Sequence, residues 1–257
     1  MRYQIKQYLK FLKNSTNQHG IHSPFVYHLV TLCFYNKTKF KAYHTLEQYR
    51  EKLYENNTVI SVTDFGAGSH VFKSNERQVS KIAKTAGITK KRAQLLYRIA
   101  DYFKINNALE LGTSLGLATT ALSLGNKNGN IVTIEGCPET AQIAKQQFEA
   151  FNLQNIDLKV NNFERELATI KNEKFDLIYI DGNHQKEATL NYFEMLLHNI
   201  HNDSILIFDD IHWSASMTAA WQEIKNHPQV TVTIDTFFWG IVSFRKEQEK
   251  EHFTIRV

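Results

Sequence analysis

Short apolar runs recur through the second half of the chain, and each one stops at a polar or acidic residue. Ala108–Leu111, Ile131–Ile134, Ile156–Val160, Phe175–Ile180 and Ile205–Phe208 have the length and β-branched content of buried strands. Segments of helical length separate them, so the pattern reads as strand and helix in alternation around a parallel sheet. The fold class expected is therefore α/β. The chain then carries two β-rich runs, Val230–Phe237 and Ile241–Arg245, with Trp239 and Gly240 in the tight connection. A link that short demands an antiparallel pair.

The front half has a different period. Ile5, Tyr8, Leu9 and Leu12 fall on one helical face, with Lys6, Lys10 and Lys13 around the rest. Such a stripe suits packing on its own domain, a homodimer partner or a membrane surface. Tyr27–Phe34 and Leu46–Tyr54 continue the helical pattern, and Thr89 is placed to N-cap a helix running through Leu95, Leu96, Ile99 and Phe103.

The runs of the second half end in chemistry. After Ala108–Leu111, which includes Glu110, the chain turns with Gly112 and Gly116, where the backbone can pass close to a nucleotide-like ligand. The second run ends in Glu135, with Pro138 at the first position of a following helix. The third ends in Asn161-Asn162-Phe163, the fourth in Asp181 and the fifth in Asp209-Asp210. Polar groups at the carboxyl ends of successive strands mark where an open parallel sheet binds its ligand.

This order of motifs, closed by an antiparallel hairpin, resembles the class I S-adenosylmethionine-dependent methyltransferases over about the last 165 residues. Dinucleotide dehydrogenases, which share the glycine turn, usually continue with parallel strands. Within the class the chain is most similar to the catechol- and caffeoyl-type O-methyltransferases, in a bacterial branch. It implies a Rossmann-like, mostly parallel sheet with a C-terminal antiparallel hairpin. It also implies S-adenosyl-L-methionine as cofactor, held by Glu110, Gly112, Ser114, Gly116, Glu135, Gly136, Asn162, Phe163 and Asp181. Glu135 takes the ribose hydroxyls in that reading, and Asn162 and Phe163 stand near the adenine. Asp181, Asp209 and Asp210 stand where the family holds a divalent cation such as Mg²⁺, with Asp210 in place of the usual asparagine. The catalytic pair implied is Asp181 and His184, the latter where relatives carry a lysine base. Ala118 replaces a small hydroxyl residue common after the glycine turn.

The expected reaction is methyl transfer to an oxygen of a small acceptor, hydroxylated aromatics included. Tyr27, Phe65, His212, Trp213 and Trp239 are candidate aromatic walls for it, and each is equally suited to packing. Composition qualifies the picture in three ways. The N-terminal stretch Met1–Lys13 is too charged for a secretory signal, and no run of about 18 apolar residues occurs. Two cysteines without ligand spacing, Cys33 and Cys137, fit reduced thiols and a cytoplasmic enzyme. Charge is uneven: residues 1–107 hold 18 Lys/Arg against 6 Asp/Glu, and residues 108–257 hold 12 against 20. The basic front half leaves open a nucleic-acid- or protein-directed methyltransferase, or a non-catalytic cofactor-binding module.

Two domains are expected, a helical cap or lid over 1–88 and the cofactor domain over 89–257. Asp64–Ser69, reading DFGAGS, imitates a cofactor turn and is expected to be a loop at the edge of the lid. His19 and His22 are spaced for a ligand, but Gly20 and Pro24 make a structured turn the expected role.

Overall fold

A computed structural model describes residues 2–63 and 74–257. The segment Asp64–Ser69 lies outside the described residues. The chain divides into two compact units, one of residues 36–166 and one of residues 1–35 with 167–257. That division does not fall at residue 88: the first part of the expected cap joins one unit and the second part the other.

The contiguous unit opens with α3 (Ala42–Glu55), following α1 (Arg2–Asn14) and α2 (Pro24–His28) of the other unit. It then has an antiparallel pair, β1 (Val59–Ser61) and β2 (Glu76–Gln78), followed by α4 (Val79–Thr85) and α5 (Lys90–Phe103). Thr89 caps α5 as expected, its hydroxyl accepting from the Arg92 amide at 3.3 Å. Next come β3 (Asn107–Leu111), α6 (Leu117–Gly125), β4 (Asn130–Glu135), α7 (Pro138–Ala150) and β5 (Ile156–Val160). β3, β4 and β5 pair in parallel, Glu110 opposite Thr133 and Glu135 opposite Val160. Pro138 takes the first turn of α7, where its missing N–H costs nothing. The unit closes in α8 (Phe163–Thr169), which runs on into the next.

The second unit carries β6 (Leu177–Ile180), α9 (Lys186–Leu196), β7 (Ile205–Asp209), α10 (Ala215–Asn226), β8 (Val232–Asp235), β9 (Trp239–Ser243) and β10 (Glu251–Thr254). Its strand order is β10-β8-β9-β7-β6. β6 pairs with β7 in parallel, every residue of both strands being buried, as continuous apolar runs in a parallel sheet require. β9 runs antiparallel to both β7 and β8, so the expected C-terminal hairpin is present.

Its details differ from expectation. Trp239 and Gly240 belong to β9, and the connection is Thr236-Phe237-Phe238. Two side chains close it: Asp235 Oδ1 accepts from the Phe237 amide at 2.8 Å, and Thr236 Oγ1 accepts from the Trp239 amide at 3.2 Å. Trp239 is core, packed edge-on against Tyr179. β10, which pairs in parallel with β8, has no apolar alternation to announce it.

The first 35 residues lie on this unit. Thr16 bridges Ile255, and Arg256 reaches the Leu12 carbonyl at 3.1 Å. In α1 the buried residue is Phe11, while Ile5, Tyr8 and Leu9 are exposed. Gln18–Gly20 forms a 3₁₀ turn, and Ser23 and Pro24 start α2, so His19 and His22 sit in the structured turn expected of them. α2 continues into a π-helical turn over Leu29–Phe34.

Gly240 sits where a Cβ would approach the Trp221 ring within 2.6–2.8 Å. Replacing Gly240 with Ala overpacks a fully buried indole and is expected to cost about 1–3 kcal/mol. A urea midpoint lowered at constant slope checks this, and an unchanged midpoint refutes it.

Candidate functional site

The glycine turn leaves β3 through Gly112 (φ 102°) and Ser114 (φ 49°), and Gly116 (φ 79°) caps α6. All three residues are in the left-handed region, which is free to glycine and costs Ser114. Two amides fasten the turn to the end of β4, since Gly112 and Thr113 both donate to the Ile134 carbonyl, at 3.0 and 3.3 Å. Gly116 has no room for a side chain: a Cβ would lie 2.4 Å from Phe148 and 2.5 Å from the Tyr49 hydroxyl.

Glu135 stands at the end of β4 with both carboxylate oxygens engaged. Oε2 accepts from the Ser114 amide at 2.8 Å and Oε1 from the Cys137 amide at 2.9 Å. Burial raises its pKa; hydrogen bonds from the Cys137, Ser114 and Gly136 backbone pull the other way. The structure thus brings Ser114, Glu135 and Gly136 together at the mouth of the turn.

Glu110 is placed elsewhere, fully buried beneath the turn. Thr119 and Thr133 both donate to its Oε2 at 2.5 Å, and Thr113 joins Thr133 at 2.6 Å. Its Oε1 has no partner among the described residues. Burial pushes its pKa to about 7 against these hydroxyls, with the Glu135 charge raising it further. The sequence reading missed this network. Its signal was Thr119, a hydroxyl residue directly after the Ala118 position where relatives carry one.

Asn162 is exposed, and its Oδ1 accepts from the Glu164 and Arg165 amides at 2.9 and 3.3 Å, so it caps α8. Phe163 is half-buried in the first turn of that helix.

In the other unit β6 and β7 deliver Asp181 and Asp209 to one hydroxyl. Tyr179 Oη lies 3.4 Å from Asp181 Oδ2 and 3.2 Å from Asp209 Oδ2, and Tyr179 is fully buried. His184 Nε2 stands 3.6 Å from Asp181 Oδ1, with Trp213 beside its ring at 6.5 Å. Asn183, His184 and Asp210 all have positive φ (67°, 30° and 53°), strain of the kind that collects at functional sites. The Asp210 amide donates to Asp209 Oδ1 at 2.9 Å. His212 faces Asp235 at 2.8 Å and Thr218 at 3.2 Å, and it stacks on Phe237, so it holds a loop together rather than lining an open wall.

Of the three aspartates expected to hold a cation, Asp181 and Asp209 converge on one hydroxyl, and Asp210 follows at the end of β7. Asp181 and Asp209 meet at Tyr179, and oxygens a hard cation needs are turned onto a phenol, an imidazole and an amide. Among the described residues, no set of three or more His, Cys, Asp and Glu side chains is gathered to hold a metal ion.

With this geometry in hand, comparison with known proteins is informative. Residues 109–211 match the family model described as a methyltransferase domain. The matched stretch runs from β3 to just past β7 and carries the glycine turn, Glu135, Asp181 and Asp209. The mouse catechol O-methyltransferase domain-containing protein 1 is 28% identical over 132 residues, which are 49% of this chain and 50% of that protein. The chain thus spans about half the length of the curated relative it matches.

Solved structures extend the fold likeness to most of the chain. An O-methyltransferase from Bacillus cereus, in complex with SAH, has TM-score 0.56 and 19% identity, covering 82% of this chain and 94% of its own. The SAH-bound Podospora anserina methyltransferase PaMTH1 gives 0.61 and 14%, covering 88% and 97%. The O-methyltransferase TomG from Streptomyces achromogenes, in complex with SAM, gives 0.56 and 14%, covering 90% and 99%. At these identities the likeness establishes a Rossmann-like methyltransferase fold.

Glu110 generates a test. Its folded pKa, about 7, lies above the ordinary 4.5, so between those values the folded protein holds a proton that the unfolded chain has lost. The stability this contributes is complete below about pH 4.5 and is lost as pH rises through about 7, a swing of about 3 kcal/mol. Glu110→Gln is expected to remove that part of the pH dependence, measured as unfolding free energy from acid to mildly alkaline pH. Parallel curves for the two proteins refute it.

Proposed function

We propose that the protein transfers the methyl group of S-adenosylmethionine to an oxygen of a small acceptor. The observation that carries this reading is the glycine turn fastened to the end of β4 with Glu135 beside it. Ser114 and Gly136 supply backbone there, and Gly112 and Gly116 let it pass close to the cofactor. Glu135 exchanges its present amide contacts for the two ribose hydroxyls. Asn162 and Phe163 flank the adenine, the one by its cap position and the other by its ring. Glu110 acts through the turn it supports, not by touching the ligand.

Asp181 and His184 serve the acceptor. The acceptor oxygen attacks the methyl carbon in line, the carbon–sulfur bond breaks, and the cofactor leaves as a neutral thioether. The acceptor's proton goes to His184. With Nε2 turned to Asp181, Nδ1 is the nitrogen that takes it, and the carboxylate steadies the imidazolium that forms. Tyr179 holds Asp181 in place through its hydroxyl. No step here needs the three aspartates to share a cation.

The acceptor is a small hydroxylated molecule, and the setting is the cytoplasm, in keeping with two buried cysteines that remain thiols. No helix among the described residues is long and apolar enough to cross a membrane.

Calorimetric titration tests the cofactor reading. S-adenosylmethionine and its demethylated product are expected to bind, and Glu135→Gln to weaken both by at least about tenfold. Binding of NAD instead overturns the assignment. Turnover on hydroxylated aromatic acceptors tests the rest. His184→Ala is expected to lower it about 10²- to 10⁴-fold, with cofactor binding unchanged. Abolition of wild-type turnover by EDTA, restored by Mg²⁺, refutes the metal-free proton transfer.

A further inference from the structure

We propose that α1 docks the protein on an anionic lipid surface. At 3.6 residues per turn the helix divides into three stripes, and each has a different environment. One stripe, Gln4, Gln7 and Phe11, faces the protein. Phe11 is buried, its ring 5.6 Å from that of Phe237. The second stripe is apolar and faces away. Ile5 is 55% and Leu9 62% exposed, with Tyr8 and Leu12 beside them. The third stripe is Arg2, Lys6, Lys10 and Lys13, all exposed. No acidic residue occurs anywhere in the helix.

The surroundings extend both outward stripes. Phe238, 46% exposed, stands edge-on to Phe237, which in turn meets Tyr8 at 4.9 Å, so the loop after β8 enlarges the apolar patch. Lys225 of α10 lies within the electrostatic reach of Lys10, and Lys250 lies within that of His252, as Lys225 does. The carboxylate that faces Lys225, Asp235, is already bonded to His212. Cations therefore gather along one side of the exposed apolar residues.

A helix lying in the headgroup region needs this division: apolar side chains to enter the acyl boundary and flanking lysines to meet lipid phosphates and carboxylates. The other occupants use only half of it. A nucleic acid satisfies the lysines and leaves Ile5 and Leu9 in water. A second copy covers Ile5 and Leu9 but brings a helix of the same sign, with no carboxylate to offset it. An anionic bilayer uses both stripes at once. The inference does not depend on the methyl-transfer reading, because none of these residues serves the proposed chemistry.

Vesicle co-sedimentation of the full chain decides the matter. Wild-type protein is expected to bind phosphatidylserine-containing vesicles at least about tenfold more tightly than pure phosphatidylcholine ones, with affinity falling as salt rises. Leu9→Glu and Ile5→Glu are each expected to weaken binding about tenfold, and Lys6→Glu with Lys10→Glu to abolish the salt dependence. Circular dichroism confirms folding, and calorimetric cofactor binding by these variants is expected to match wild type. Failure of wild type to bind anionic vesicles overturns the proposal, as does binding that Leu9→Glu leaves unchanged. A dimer in sedimentation that Leu9→Glu dissociates also overturns it, assigning the face to a second copy. RNA binding equal in wild type and Leu9→Glu, without vesicle binding, assigns the basic stripe to nucleic acid.

Discussion

A carboxylate cut off from water must find donors in the protein or give up its charge, and Glu110 is in that position. Its two hydroxyl partners come from different elements, Thr119 from α6 and Thr133 from β4, while Glu110 itself belongs to β3. A single oxygen thereby pins a strand, its neighbour and the helix that follows the turn. Thr113, inside the turn, extends the same network. The left-handed residues above it are held from below, and that lets the backbone keep a shape ready for a ligand. Glu135 completes the frame from the end of β4.

The acidic residues of the second unit are organised on another principle. There a buried phenol is shared between two carboxylates, and the backbone beyond each strand is strained at Asn183, His184 and Asp210. Strain of this kind persists only where the surroundings impose it. The hairpin contributes to that imposition: Phe237, itself at φ 75°, stacks on His212, which Asp235 fixes. The frame of the glycine turn is thus built on satisfied backbone amides, and the aspartate–histidine cluster on side-chain pairs of looser geometry.

Much of this is readable from the residue pattern because burial dictates it. Strand β6 is apolar throughout and β7 up to Asp209, and Gly112 and Gly116 take the positive φ that only glycine adopts without cost. Thr89 and Pro138 mark their helices because capping and first-turn chemistry are local. What stays hidden is decided at a distance. β10 forms because β8 offers it a partner, not because Glu251–Thr254 carries a strand pattern. The orientation of Asp181 and Asp209 depends on Tyr179, a residue that in sequence is one more apolar position of a strand. The stripe Ile5–Leu12 shows an amphipathic helix but not which side faces the protein; Phe11, outside the stripe, takes that role.

The stitching of the first 35 residues to the last few also sets an order of events during synthesis. Residues 36–166 form a contiguous unit, so every partner in the Glu110 network has been made by the time Thr133 emerges. α1 is made well before the residues it is stitched to. Its carbonyl at Leu12 waits for Arg256, and Thr16 waits for Ile255. Contacts of such long sequence separation are slow to close. Until those partners are made, Ile5, Leu9 and Phe11 stand bare in a basic segment, the kind of stretch that chaperones of nascent chains bind.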